Sequence, residues 1–176
     1  MAKSKEPIID FSEFDVNHVV ADLEAIRRYN RQRFEMEQLT AICYEDSVRM
    51  IAVGYKDLGL DEFWIRGHMP GMPILPGVVM CEIAAQLCSY FSQRNNLLGS
   101  NATLGFGGMN DVRFRGVVLP GQRLVVATQL TKVRKGSLVT SRFQAFVNQN
   151  LVGEGEILGI ALPADDLIAA SAKQQS

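Results

Sequence analysis

Two side chains in this sequence pair a possible base with a possible acid: His68 and Glu82, 82 − 68 = 14 residues apart. Histidine titrates near physiological pH and is a natural general base. A glutamate held among apolar groups has its pKa raised by desolvation, keeps its proton near neutral pH and becomes a competent general acid. Glu82 is the only residue of the Asp, Glu, Lys or Arg type between His68 and Arg94. Its helical neighbours at three and four positions, Val78, Val79, Ala85 and Gln86, are uncharged. A helix that turns Glu82 to solvent fits the same periodicity, and a lone histidine fits a structural role. The other histidine, His18, lies in a distant segment, and no cysteine or acidic cluster supplies ligand spacing, so no metal site is expected.

The elements that must hold these groups are legible around them. His68 sits among Gly67, Pro70, Gly71, Pro73, Pro76 and Gly77. Prolines fix φ and glycines permit tight turns, so such a loop gives up little entropy on ordering and holds a side chain in one place. From Val78 to about Arg94 no Gly or Pro interrupts, and the apolar residues are too many for a surface helix, which predicts a mostly buried one. Pro76-Gly77 stands where that helix begins. Its unpaired N–H groups and positive dipole end can polarise a carbonyl that gains charge, and Gly77 leaves room for close approach. A plain helix start fits the same residues.

The 176 residues, 47% hydrophobic and 21% charged, fit one globular domain. A net charge of −1 gives no global attraction for nucleic acid or anionic membrane, and no apolar run reaches the length of a membrane helix. Without a secretory segment, and with Cys43, Cys81 and Cys88 reading as reduced core thiols, the expectation is a cytoplasmic protein. Residues 1–16 read as a loose leader, 17–163 as the domain and 164–176 as a polar tail. Asn17 is expected to cap a helix running to Arg28. Strands are expected at 39–45 and 47–55, then at 103–106 continuing into 111–115, and at 123–133, 138–148 and 151–161. Turns are expected at Lys135-Gly136 and Gln149-Asn150. Gly105-Phe106-Gly107-Gly108 lacks the lysine and helix of a phosphate loop and reads as a turn or bulge in a strand. The plan is α+β: an antiparallel sheet around one central helix.

The run His68-Met69-Pro70-Gly71-Met72-Pro73-Ile74-Leu75-Pro76-Gly77-Val78, with Glu82 and Ala85-Gln86, resembles the signature of the (3R)-hydroxyacyl-[acyl-carrier-protein] dehydratases of fatty acid synthesis, including its histidine-to-acid interval. A second block, residues 106–114 followed by Val117-Val118-Leu119-Pro120-Gly121-Gln122, is similar to that family's strand and turn, and the likeness covers roughly residues 20–162. The resemblance implies the hot-dog fold and a homodimer or trimer of dimers, with His68 from one subunit and Glu82 from the other. It implies that His68 removes the α-proton of a β-hydroxyacyl thioester and that Glu82 protonates the departing hydroxyl. The Gly77 N–H would bind the thioester carbonyl, Val78 would line the substrate, and Gln86 would orient Glu82. It implies acyl carrier protein as partner and no cofactor.

Met69 stands where the family usually has phenylalanine, Gly116 where proline is common, and residues 30–40 keep only Arg33 and the aromatic Phe34 of an N-terminal family segment. These departures bear on tunnel lining, chain length and pathway. A hot-dog thioesterase, a CoA-dependent hydratase and a non-catalytic acyl-binding protein are the rival readings. Arg113, Arg115, Arg123, Lys132, Arg134 and Lys135 fit either a basic rim for an acidic carrier or an ordinary solvated strand face. Phe63 and Trp64 fit either an acyl tunnel or core packing.

Overall fold

The computed structural model describes residues 6–99, 102–165 and 169. Among the described residues, helices α1 (Leu23–Arg27) and α2 (Gly77–Arg94) accompany six strands. These are β1 (Ala41–Asp46), β2 (Ile51–Asp57), β3 (Ala102–Phe114), β4 (Arg123–Arg134), β5 (Leu138–Val147) and β6 (Asn150–Pro163). All neighbours are antiparallel, in the order β1-β2-β4-β5-β6-β3. β3 therefore closes one side of the sheet and pairs only with β6.

The sheet has two apolar faces because its central strands alternate between two clusters. Ala52, Leu124, Val126, Phe143 and Ala145 point to α2, whereas Ile51, Val53, Val125 and Ala127 point the other way. Helix α2 lies in the concave face, with Ile83, Ala84, Leu87, Cys88 and Phe91 excluded from solvent. That is why its sequence is apolar almost all round. No helix among the described residues is long and apolar enough to cross a membrane.

The opposite face is covered by the N-terminal segment, where a loose leader is expected at residues 1–16. Residues 6–16 are not loose. Ile8 and Ile9 are buried against Ala41, Cys43, Ile51 and Val53, and Phe11 stacks edge-on to Phe146 at 5.2 Å. The Ile8 N–H donates to Gln144 Oε1 at 2.8 Å. The segment is the second layer over a sheet that is apolar on both sides.

The first helix is also shorter than its periodicity predicts. Val20 and Ala21 donate to the Ile42 carbonyl, and the Ile42 N–H returns a bond to Ala21, so the chain is extended there. β-Branched Val19 and Val20 favour that state. Asp22, not Asn17, is the cap, accepting from the Ala25 N–H at 2.9 Å. In the last hairpin the turn residues are Asn148 and Gln149, both at positive φ, so Asn150 already belongs to β6. The glycine run at 105–108 lies within β3 at a register shift between Phe106 and Gly108, the bulge its composition predicts. The tail expected at 164–176 lies mostly outside the described residues.

Candidate active site

The loop before α2 is closed on itself at His68 and Ile74. The Ile74 N–H donates to the His68 carbonyl at 3.0 Å, and His68 Nδ1 lies 2.9 Å from the Ile74 carbonyl. A carbonyl oxygen only accepts, so Nδ1 carries a proton, and in the neutral ring the lone pair lies on Nε2. Met69 and Met72 exchange a second backbone pair, and the His68–Met69 peptide is cis. The Leu75 N–H ties the loop's end to the Val118 carbonyl at 2.8 Å. Trp64 supports the loop from within the core, while Phe63 is half exposed.

The loop delivers His68 to an open cleft of about 620 Å³ shared with Gly77, Val78, Met80, Phe114, Arg115 and Val117. The first turn of α2 forms one wall, and its cap residue, Pro76, makes no side-chain capping bond. Helix geometry leaves the Gly77 and Val78 N–H groups without intrahelical acceptors at the positive end of the dipole. A Cβ at Gly77 would lie 2.5 Å from the Phe114 ring, so a larger residue there must push that side chain aside into the cleft. Val78 is strongly exposed, with Phe114 and Val117 beside it in the cleft.

Glu82 is one turn further along and half-buried. Its Oε1 accepts from Gln86 Nε2 at 2.7 Å. Gln86 is itself buried and fixed from three sides. Its Oε1 accepts the Gln38 N–H at 3.0 Å, its Nε2 also donates to the Met36 carbonyl at 2.7 Å, and its own carbonyl accepts from Asn30 Nδ2 at 2.9 Å. The Gln38 N–H can only donate, so the amide cannot flip and Nε2 must face Glu82.

The expected site residues therefore fall in two groups. His68, Gly77 and Val78 line one cleft. Glu82 lines separate openings with Gln32, Ala85, Ser89 and Leu104, one of them between α2 and strands β3 and β6. In one chain the base and the acid do not share a cavity. Phe114, Met36, Gln38 and Asn30 also take part, although their residue types do not point to a site. Phe114 lies in a recognisable block, but nothing local marks the others, which act across 48 to 56 residues of chain.

The basic residues divide as well. Arg115 pairs with buried Glu154, and Arg123 makes a two-point bond to Asp57 while lying over the Tyr55 ring, so neither is an idle rim charge. All three cysteines are free and buried. Burial pushes the thiol of Cys81 up, that of Cys88 up to about 11 and that of Cys43 up to about 12. Among the described residues no group of His, Cys, Asp and Glu is arranged to hold a metal ion.

A sheet wrapped on one long helix, with these two motif blocks, defines a hot-dog protein, and the chain belongs to the FabA-like family, whose domain model matches residues 31–156. The relatives it matches are narrower in kind. The 3-hydroxyacyl-[acyl-carrier-protein] dehydratase FabZ of Moorella thermoacetica is 38% identical over 107 residues, covering 61% of this chain and 73% of that protein. The protein of the same name from Campylobacter jejuni is 34% identical over 116 residues, covering 64% and 79%. Among solved structures, the dehydratase heterocomplex ApeI:P of Xenorhabdus doucetiae aligns with a TM-score of 0.67 at 16% identity, over 82% of this chain and 95% of that one. A thioesterase superfamily member of Thermus thermophilus aligns at 0.58 and 20% identity, over 71% and 90%. These two structures share the fold.

Proposed function

We propose that this protein is a hydro-lyase that dehydrates (3R)-hydroxyacyl thioesters carried on acyl carrier protein to trans-2-enoyl thioesters, in fatty acid synthesis or a related acyl-chain pathway. The observation that carries the reading is the pair of locked side chains, His68 with Nε2 left as a base and Glu82 held by an amide that cannot flip.

The thioester carbonyl binds at the Gly77 N–H, where the helix N-terminus favours charge developing on oxygen. His68 Nε2 removes the α-proton, and the pair of electrons from that C–H bond forms the Cα=Cβ double bond. The Cβ–O bond breaks, and the hydroxyl leaves as water with a proton from Glu82. Proton exchange with solvent resets both groups. Gln86 orients the carboxyl group and keeps one oxygen accounted for, and Val78 contacts the thioester arm.

That His68 and Glu82 line different openings within a chain supports a working site that draws His68 from one subunit and Glu82 from the other. The unpaired side of β3, with exposed Phe106, Met109 and Phe114, suits a homodimer joined there, alone or within a trimer of dimers. The unpaired buried thiols suit a reducing cytoplasm. The test is purified protein with a 3-hydroxyacyl-carrier substrate, followed for the enoyl product. Enoyl formation that is lost in His68→Ala and in Glu82→Ala supports the reading. Thiol release without enoyl product overturns it in favour of a thioesterase.

A further inference from the structure

The wall beyond Glu82 carries a feature the dehydration chemistry does not use. Ser89 lies seven residues further along α2, roughly 10 Å up the helix at 1.5 Å per residue. It faces the same openings as Glu82. Its side of the space is shared with Gln32, and the opposite side is apolar, formed by Leu104, Phe106 and Leu158. A plain alkyl chain would be served by apolar groups on both sides.

Ser89 is only 7% exposed, so bulk water does not readily satisfy its hydroxyl. Gln93 Nε2 donates to Ser89 Oγ at 3.0 Å. With the Gln93 amide in this orientation Oγ is the acceptor, and the hydroxyl proton has no acceptor among the described residues. Gln93 thus fixes the oxygen, and the hydroxyl is left as a donor on the cavity wall. The Gln32 side chain, also without a hydrogen-bond partner among the described residues, offers a second polar group to the same space.

We infer that Ser89 is a specificity-determining residue for the far end of the substrate, selecting acyl chains that carry a hydrogen-bond-accepting oxygen beyond the reacting carbons over plain alkyl chains. The inference rests on the dehydratase reading for the direction of the chain past Glu82. The acceptor can be a ketone or a hydroxyl oxygen, since both take a bond from the Ser89 hydroxyl. An alkyl chain in the same place leaves that donor buried and unmet, which weakens its binding rather than blocking it.

The experiment compares two series of unreactive acyl-pantetheine amides in calorimetric titration of the full-length protein. The series are matched in length and span the reach to Ser89, one plain and one with a distal ketone or hydroxyl. The wild type should bind the oxygenated member about tenfold more tightly at one chain length, the worth of one well-made hydrogen bond. Ser89→Ala should reduce that ratio at least fivefold, and Ser89→Thr, which keeps the hydroxyl, should restore most of it. A wild type that favours the plain chain at every length, or a Ser89→Ala ratio equal to that of the wild type, overturns the inference. Binding is read without turnover, so loss of the catalytic reading through absent enoyl formation is a separate result.

Discussion

The loop carrying His68 and the helical turn carrying Glu82 are both rigid, but by opposite means. His68 is held by its own neighbours: six residues on, Ile74 returns one bond to its backbone and one to its ring. Glu82 is held at second hand. Its partner Gln86 is fixed by Met36 and Gln38, from a segment far earlier in the chain. A base can thus be positioned by local composition, through proline, glycine and short backbone bonds. An acid on a continuous helix needs another part of the fold to choose its orientation. The first should survive changes elsewhere in the protein, and the second should not.

The largest effects should come from the groups at the end of each lock. Removing either His68 or Glu82 should lower kcat by about 10²- to 10⁴-fold, the usual worth of general acid–base catalysis, with thermal stability nearly unchanged. Single-turnover enoyl formation by wild type and variants measures it, and a loss below tenfold for either would break the symmetry between the two regions.

The non-local lock should fail next. Gln86→Leu leaves the buried Gln38 N–H without its partner and removes the part-buried bond to the Met36 carbonyl, costing about 1–3 kcal/mol of stability by chemical denaturation. It also frees Glu82, and kcat should fall about tenfold while KM changes little. If stability falls and kcat does not, Gln86 supports the fold without positioning the acid.

Gly77→Ala probes the junction between the two regions. Its Cβ would sit 2.5 Å from the Phe114 ring, at the end of a side chain that can swing away. The fold should tolerate it, while the displaced ring crowds the cleft and kcat/KM drops several-fold. Adding Phe114→Ala should restore part of the loss if crowding is the cause, and none if the N–H direction has changed.

The smallest effect concerns the helix wall. Cys81 precedes Glu82, and burial pushes its thiol pKa up, so at pH 8 it holds even less thiolate than a free cysteine. Iodoacetamide at pH 8 should leave Cys81 unlabelled in the folded protein and label it after unfolding, as read by mass spectrometry. Rapid native labelling would show that the turn bearing Glu82 opens, unlike the turn of loop bearing His68.

What the sequence reveals follows the same division. The central helix is legible because Val78–Arg94 has no breaker and is apolar on most sides, and the strands because their alternation is local. The His68 loop is legible because glycine and proline state their geometry directly. Gln86 could be named as the group orienting Glu82, from the family motif. What holds Gln86 could not, because Asn30, Met36 and Gln38 lie in a polar stretch whose role exists only once α2 is packed beside it. The N-terminal segment and the first helix depart from their local sequence pattern for a related reason. Ile8, Ile9 and Phe11 look like isolated apolar residues until the sheet's second face needs covering. Val19, Leu23 and Ile26 have helix-like spacing, yet Ile42 draws the chain at Val20 and Ala21 into an extended pairing.

The central claim is that a base and an acid which line different openings of one chain meet across a subunit boundary. Mixing the inactive His68→Ala and Glu82→Ala proteins, unfolding and refolding them together, and measuring enoyl formation tests it directly. Random pairing makes half of the dimers hybrids, each with one intact site of two, so about a quarter of wild-type activity should return. Activity no higher than that of either variant alone, with hybrids demonstrated by differential tagging, would contradict the shared site.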